Sequence, residues 1–355
     1  MSEGGLPCLW MRGGTSKGAV LLAADLPADP AARDALLLRV MGSPDPAQVD
    51  GIGGGDPLTS KVAVIAPGTG GADVDYLFLQ VFVDRATVSD AQGCGNMLAA
   101  VGPAAIHRGL VAARDGETAV RIRMVNTGEV ATARIATPGG RVAYAGGAAI
   151  DGVPGTHAAV PLMFDDVAGS MCGALLPTGN PVDEIDGQLV TLIDNGMPCV
   201  ILDAAAFGVE GTETRTALDA DDALKARLEA IRLAAGPMMR LGDVADKSVP
   251  KMTLVAPARA GGVVNTRSFI PHRCHATIGV FAAVTVATAC TLPDGPAARA
   301  AALPRGSTFR VEHPSGAAEV LLERDAAGRV TRAGTIRTAR LLMEGTVYPA
   351  PARPA

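Results

Sequence analysis

At 355 residues and 48% apolar side chains, the chain is long enough for two ordinary domains and too apolar to remain disordered. Aromatic residues at 3% exclude a stacking platform for nucleic acid, and a formal net charge of −5 without a long basic run argues against nucleic-acid or membrane partners. With 43 glycines and 25 prolines, many short strands and turns are expected rather than a helix bundle. Cys8, Cys94, Cys172, Cys199, Cys274 and Cys290 are spread singly, with neither a CxxC pair nor zinc spacing, so reduced and mostly buried thiols are expected, and no metal. No basic region followed by an apolar core opens the chain, and the longest apolar segment, 276–292, is short for a membrane span and carries four threonines. It reads as a buried central helix in a soluble, cytoplasmic protein.

In chain order, Cys8–Met11 and Ala19–Leu22 read as strands around a glycine turn, Arg12-Gly13-Gly14-Thr15-Ser16-Lys17-Gly18. Asp34–Met41 has helical spacing. Gly51-Ile52-Gly53-Gly54-Gly55-Asp56 is a flexible loop suited to close approach to a ligand. Strands follow at Val62–Ile65 and Tyr76–Val83. Cys94-Gly95-Asn96-Met97 then opens an apolar helix that Gly102-Pro103 should kink or interrupt. Short strands fill 120–145, and Gly152-Val153-Pro154-Gly155 is a turn.

The second half repeats this order about 180 residues later. Leu192–Leu202 again places a glycine turn between apolar runs, and Leu224–Ala235 is a helix. Val249–Pro257 aligns with Thr59–Pro67, lysine on lysine, and His272-Arg273-Cys274-His275-Ala276-Thr277-Ile278-Gly279 opens the second apolar helix as Cys94-Gly95-Asn96 opens the first. Two like domains follow, 1–185 and 186–355, with the final strand free to return to the first. Both helices are apolar nearly all round, so each must be wrapped by its own sheet. The expectation is an α+β chain of two pseudo-symmetric β-barrel-like domains, each enclosing a helix, with the active site in the cleft between them.

Lys61 stands in an apolar strand, where a desolvated amine can act as a general base beside a carbonyl; equally, its stem can pack while its head reaches solvent. Cys94 precedes a helix N-terminus whose Gly95, Asn96 and Met97 amides can hold a carboxylate and activate a thiol; the bland reading is a small buried cysteine. Arg12, Gly14, Thr15, Ser16 and Lys17 supply donors for a carboxylate, and Gly53 and Gly54 a close backbone. The turn is no P-loop, because Ser-Lys-Gly stands where Gly-Lys-Ser/Thr is needed. Lys251, Arg267, His272, Arg273 and His275 supply cations in the second half, although the histidines can equally cap and pack a helix start. Asp194-Asn195-Gly196 reads equally as a tight turn. A lysine and a cysteine on one substrate, without a nucleotide motif or a hydrolase triad, suggest proton shuffling on a small molecule with two or three carboxylates.

At these residues the chain resembles the PrpF family of the diaminopimelate-epimerase-like superfamily. The carrying motifs are Trp10-Met11-Arg12-Gly13-Gly14-Thr15-Ser16-Lys17-Gly18, Met41-Gly42-Ser43-Pro44-Asp45, Leu58-Thr59-Ser60-Lys61-Val62-Ala63, Cys94-Gly95-Asn96 and Ala100-Val101-Gly102-Pro103. Further stretches resemble its 4-oxalomesaconate tautomerase/isomerase branch: Asp50-Gly51-Ile52-Gly53-Gly54, Val74-Asp75-Tyr76-Leu77-Phe78, Ile193-Asp194-Asn195-Gly196-Met197-Pro198 and Phe269-Ile270-Pro271-His272-Arg273-Cys274-His275. The resemblance implies two similar domains and a cofactor-free 1,3-allylic shift on a tricarboxylic keto acid, with Lys61 and Cys94 as the acid–base pair. It implies a place in gallate and protocatechuate 4,5-cleavage, as used for lignin aromatics, and a homodimer is expected. A 2-methylaconitate-type isomerase and a non-catalytic tricarboxylate-binding protein are the alternatives. The family pattern has asparagine immediately before Cys-Gly-Asn; this chain has Gly93. The superfamily's racemases carry a second cysteine at the other helix, where the repeat leaves Cys274 or His275, so a symmetric two-cysteine mechanism is not expected.

Overall fold

A computed structural model describes residues 4–91, 93–165 and 167–352. In chain order the elements are β1 (Leu6–Gly13), β2 (Ser16–Leu22), α1 (Pro30–Met41), β3 (Lys61–Pro67), β4 (Val74–Val81), β5 (Val88–Ser89), α2 (Gly95–His107), β6 (Gly116–Met124), β7 (Val130–Thr137) and β8 (Ala159–Phe164). Then come β9 (Asp183–Ile185), β10 (Gln188–Asp194), β11 (Pro198–Asp203), α3 (Arg215–Ala220), α4 (Asp222–Met238), β12 (Lys251–Ala256), β13 (Val264–Phe269), α5 (Val280–Ala289), α6 (Pro296–Ala300), β14 (Thr308–His313), β15 (Gly316–Arg324) and β16 (Val330–Val347). The chain forms two compact units, Met1–Leu162 with Ile336–Ala355, and Met163–Thr335.

The internal repeat is visible in the strand pairing of each unit. In the first, β1 and β2 are antiparallel, β2 and β3 parallel, β3 and β4 antiparallel, β4 and β6 parallel, and β6 and β7 antiparallel. In the second, the same alternation runs through β10, β11, β12, β13, β14 and β15. Lys61 and Lys251 each open the strand that pairs in parallel with its predecessor. Residues 339–347 pair with β1, and residues 330–335 with β15.

Strands β1 to β4 are largely buried on both faces, which is why they read as nearly continuous apolar runs, whereas β6 and β7 alternate buried and more exposed residues. One face carries Cys8, Ala19, Leu21, Val62, Val64, Leu79 and Val81 against Leu37, Val40 and Met41 of α1. The other packs on α2, which contacts β1, β2, β3, β4, β6 and β7 and is buried from Met97 to Ala105. Gly102 permits that approach, since a Cβ there would lie 3.1 Å from Ile135 Cδ1. Pro103 does not interrupt the helix as expected: α2 runs through it to His107. Enclosure by six strands offsets an interior-proline cost of about 3 kcal/mol.

Helix α1 begins four residues earlier than its apolar spacing predicts, because Asp29 caps it through the Ala32 amide at 2.8 Å and Pro30 fills the first turn. In the second unit the apolar segment forms α5, buried from Ala282 to Ala289. Among the described residues no helix is long and apolar enough to cross a membrane.

The β4–β6 crossing is tied by a buried carboxylate. Arg123 Nε donates to Asp75 Oδ1 at 2.9 Å, and Thr69 Oγ1 donates to Oδ2 at 2.9 Å. The Arg123 hydrogen bonds, helped by Thr69, hold the Asp75 carboxyl below its usual range although burial opposes them. A depressed folded-state pKa means that the stabilisation is complete above the unfolded value near 4 and is lost as pH falls through the folded one. Asp75→Asn should therefore cost about 1–3 kcal/mol at pH 7, and the gap from wild type should close in urea melts repeated below about pH 4.

Candidate active site

Lys61 is 7% exposed and begins β3 with Gly18 beside it on one strand and Gln80 on the other. Gly18 has to lack a side chain, because a Cβ would sit 2.3 Å from the Lys61 carbonyl oxygen. Lys61 Nζ donates to Gln80 Oε1 at 2.7 Å and lies 4.9 Å from the centre of the Phe78 ring. The Gln80 amide cannot be turned round without loss: its Nε2 donates to the Ser60 and Pro57 carbonyls at 3.0 and 3.1 Å.

Strand alternation places Tyr76, Phe78 and Gln80 on one face of β4. The Tyr76 hydroxyl donates to the Cys94 carbonyl at 3.3 Å. One face of one strand thus holds both Lys61 and Cys94, its two contact points separated by about 13 Å of extended chain. Burial, with Cys94 alongside, keeps the Tyr76 hydroxyl well above its ordinary pKa, so it remains a donor.

Cys94 is the N-cap of α2, half-buried, and its thiol makes no capping hydrogen bond. Its carbonyl takes the first helical bond, from Leu98 N at 3.0 Å, which leaves the Gly95, Asn96 and Met97 amides without intrahelical acceptors. The β1–β2 turn lies against this helix end. Asn96 Nδ2 donates to Thr15 Oγ1 at 3.0 Å and to Ser16 Oγ at 3.4 Å. A Cβ at Gly13 would lie 2.4 Å from the Asn96 carbonyl oxygen, and one at Gly14, where φ is +51°, would lie 2.2 Å from Asn96 Oδ1. Thr15 is exposed and Ser16 buried. At Gly93 an added Cβ would meet only Thr127, at 3.9 Å, so ordinary space for a side chain exists beside Cys94.

Arg12 and Lys17 are not part of this cluster. They pair directly across β1 and β2, on the face that carries Trp10 and Ala19, whereas Gly13 and Ser16 face α2. Arg12 Nη1 instead ties the turn, donating to Gly14 O at 2.9 Å and to Thr338 O and Oγ1 at 3.1 and 2.9 Å. Burial, with Arg340 opposite it, lowers the Arg12 pKa. The glycine loop is pinned rather than loose. A Cβ on Gly53 would clash with Gln48 and one on Gly54 with Thr59, while Gln48 accepts from Gly55 N at 3.0 Å and donates to Ser43 and Ser60 at 2.9 and 2.7 Å.

In the second unit, Lys251 donates to Ser248 O at 2.6 Å, and burial lowers its pKa. Arg267 is spent on Glu213 O, Asn265 Oδ1 and Thr266 O. His272 is exposed and lies 3.6 Å from Glu229; Arg273 is exposed. His275 Nδ1 accepts the Thr277 amide at 2.9 Å, which assigns the remaining proton to Nε2, and burial lowers its pKa. The segment 272–279 does not open the helix: α5 starts at Val280 with Gly279 as N-cap, and Cys274 is a buried bridge residue whose amide donates to Asp219. As the N-cap of α5, Gly279 stands where Cys94 stands at α2. Asp194, read as turn, is buried and accepts the Met171 and Cys172 amides at 2.8 and 2.9 Å.

Sequence reasoning missed Gln80, Gln48 and Tyr76. The available signal for Gln80 was a lone amide in the otherwise apolar run Tyr76–Val83, opposite a lone lysine. Among the described residues no three His, Cys, Asp or Glu side chains are grouped to hold a metal ion. The cluster offers an amine, a thiol, free helix amides and two hydroxyls, an inventory for proton transfer and anion binding. Gly14→Ala should displace Asn96 and lower turnover at least tenfold. The control Gly70→Ala, at φ +60° with nothing within 4 Å, should cost only the backbone strain of about 1 kcal/mol and leave turnover unchanged.

The family model described as PrpF protein matches residues 5–350. Over 345 residues the chain is 65% identical to the (4E)-oxalomesaconate Delta-isomerase of Novosphingobium sp., covering 96% of this chain and 97% of that one. It is 57% identical to the 4-oxalomesaconate tautomerase of Pseudomonas putida, covering 98% and 97%. Among solved structures, the crystal structure of a methylitaconate-delta-isomerase superposes with a TM-score of 0.91 at 35% identity, covering 98% and 96%. The α+β architecture is therefore the diaminopimelate-epimerase-like one that the motifs implied, and the chain belongs to the PrpF family.

Proposed function

We propose that this isomerase acts on 4-oxalomesaconate, moving one proton across three carbons without a cofactor, in the breakdown of gallate or protocatechuate by ring cleavage. The observation that carries the reading is the anchoring of Lys61 and Cys94 on one face of β4, joined by the names of the two relatives.

In this reading the Lys61 amine takes a proton from the carbon beside the 2-keto group. The electron pair delocalises through the carbonyl and the neighbouring double bond as a dienolate. The Cys94 thiol returns a proton to the far allylic carbon and the double bond moves by one position, so one proton leaves the substrate and one enters. The amides of Gly95, Asn96 and Met97, at the positive end of α2, suit a carboxylate or the developing oxyanion. Thr15 and Ser16, oriented by Asn96, add hydroxyl donors.

Lys61→Ala and Cys94→Ser should each lower kcat on 4-oxalomesaconate by about 10²–10⁴-fold with an unchanged far-UV circular dichroism spectrum. Full activity in either variant would remove that residue from the mechanism. A second reading, a smaller methyl-substituted substrate of the same chemistry, draws on the likeness to the methylitaconate-delta-isomerase. Comparing kcat/KM on 4-oxalomesaconate and on 2-methylaconitate should favour the former by at least 100-fold, and a reversed ratio would select the second reading.

A further inference from the structure

We infer that Gln80 is the positioning residue for the Lys61 amine, a role that rests on the reading of Lys61 as the base. Among the described residues, the partners of the Lys61 amine are Gln80 Oε1 at 2.7 Å and the Phe78 ring at 4.9 Å; no carboxylate and no second cation is bonded to it. Both partners project from β4, so they fix one N–H direction and screen one side of the nitrogen. The lone pair that accepts a proton is left to point away from β4. A tetrahedral amine on a four-carbon stem would otherwise sample many orientations.

Gln80 is fitted for this because its own orientation is enforced. It is 7% exposed. Its Nε2 is shared between the Ser60 and Pro57 carbonyls at 3.0 and 3.1 Å, so a flipped amide would set oxygen against oxygen and N–H against the lysine donor. Ser60 is held in turn by Gln48 Nε2 at 2.7 Å and by the Val81 amide, which bonds its carbonyl at 3.2 Å. The turn before β3 and the amine at its start are therefore located by one hydrogen-bonded block.

The second unit provides a contrast within the same molecule. Lys251 occupies the equivalent strand position, but Met252 pairs with Phe269, which puts Ile270 rather than an amide beside it. Its amine turns back to the Ser248 carbonyl at 2.6 Å. The fold does not require a glutamine at this place; the first unit has one where its lysine faces α2.

The test uses Gln80→Met, which removes the acceptor, and Gln80→Glu, which keeps it and adds charge. Gln80→Met should lower kcat about 100-fold while KM changes less than threefold. A carboxylate beside the amine favours the ammonium over the neutral base. Gln80→Glu should therefore move the ascending limb of the kcat profile to higher pH by about one unit or more. Wild-type kcat in Gln80→Met together with an unmoved limb in Gln80→Glu would overturn the role. Lys61→Ala assayed in parallel separates the two ideas. An active Lys61→Ala sinks the base reading itself, whereas an inactive one beside an unperturbed Gln80→Met sinks only the positioning role. Should both glutamine variants fail to fold, the Nζ–H correlation of Lys61 in the ¹⁵N-labelled wild type decides. Protection from solvent exchange is expected, and free exchange would overturn the proposal.

Discussion

A helix that is apolar on every side must be covered on every side, and once six strands cover α2 only its ends remain for polar chemistry. This constraint arranges the rest of the first unit. The first-turn amides, which enclosure leaves without intrahelical partners, become the natural place for an anion. The thiol of the cap residue, uncommitted to the helix, sits at the same opening. Glycine is required at 13, 14 and 18 because neighbouring backbone or side-chain atoms lie where a Cβ would go.

A second constraint is that polar groups on the α2-facing side of the sheet have to satisfy one another. Lys61 and Gln80 do so directly, and Gln80 passes the requirement to the Ser60 and Pro57 carbonyls, leaving an amine that is buried yet directed. Tyr76 contributes at the other end of the same strand face, its hydroxyl kept protonated by burial and spent on the Cys94 carbonyl. A candidate site assembled from one strand face and one helix end needs little from flexible loops, and even the glycine-rich loop is clamped by Gln48.

How much of this was legible in the sequence follows from the range of the interactions. The repeat was readable because element order and a lysine at a strand start survive as local patterns. Lys61, Cys94 and Asn96 stood out as polar residues in apolar surroundings. Arg12 and Lys17 were grouped with them because they are near in sequence, but a strand sends neighbours to opposite faces, and the turn's polarity is divided accordingly. The start of α5 was misplaced by eight residues because His272–Gly279 is as apolar-flanked as a helix opening, and long-range contacts, the bridge from Phe269 to Cys274 and the bond from the Cys274 amide to Asp219, hold it irregular. Gln80 and Gln48 were harder to read because an amide has no intrinsic chemistry until its partner is known; for Gln80 the one local sign was its place in an apolar run.

The central claim is that one side chain serves each of two carbons. Proton NMR of 4-oxalomesaconate with enzyme in deuterated water, followed separately at the carbon beside the keto group and at the far allylic carbon, tests it directly. Lys61→Ala should lose exchange at the first carbon, and Cys94→Ser should retain exchange there while losing incorporation at the second. Equal loss at both carbons in Cys94→Ser, or exchange at the wild-type rate in Lys61→Ala, would contradict the division of roles.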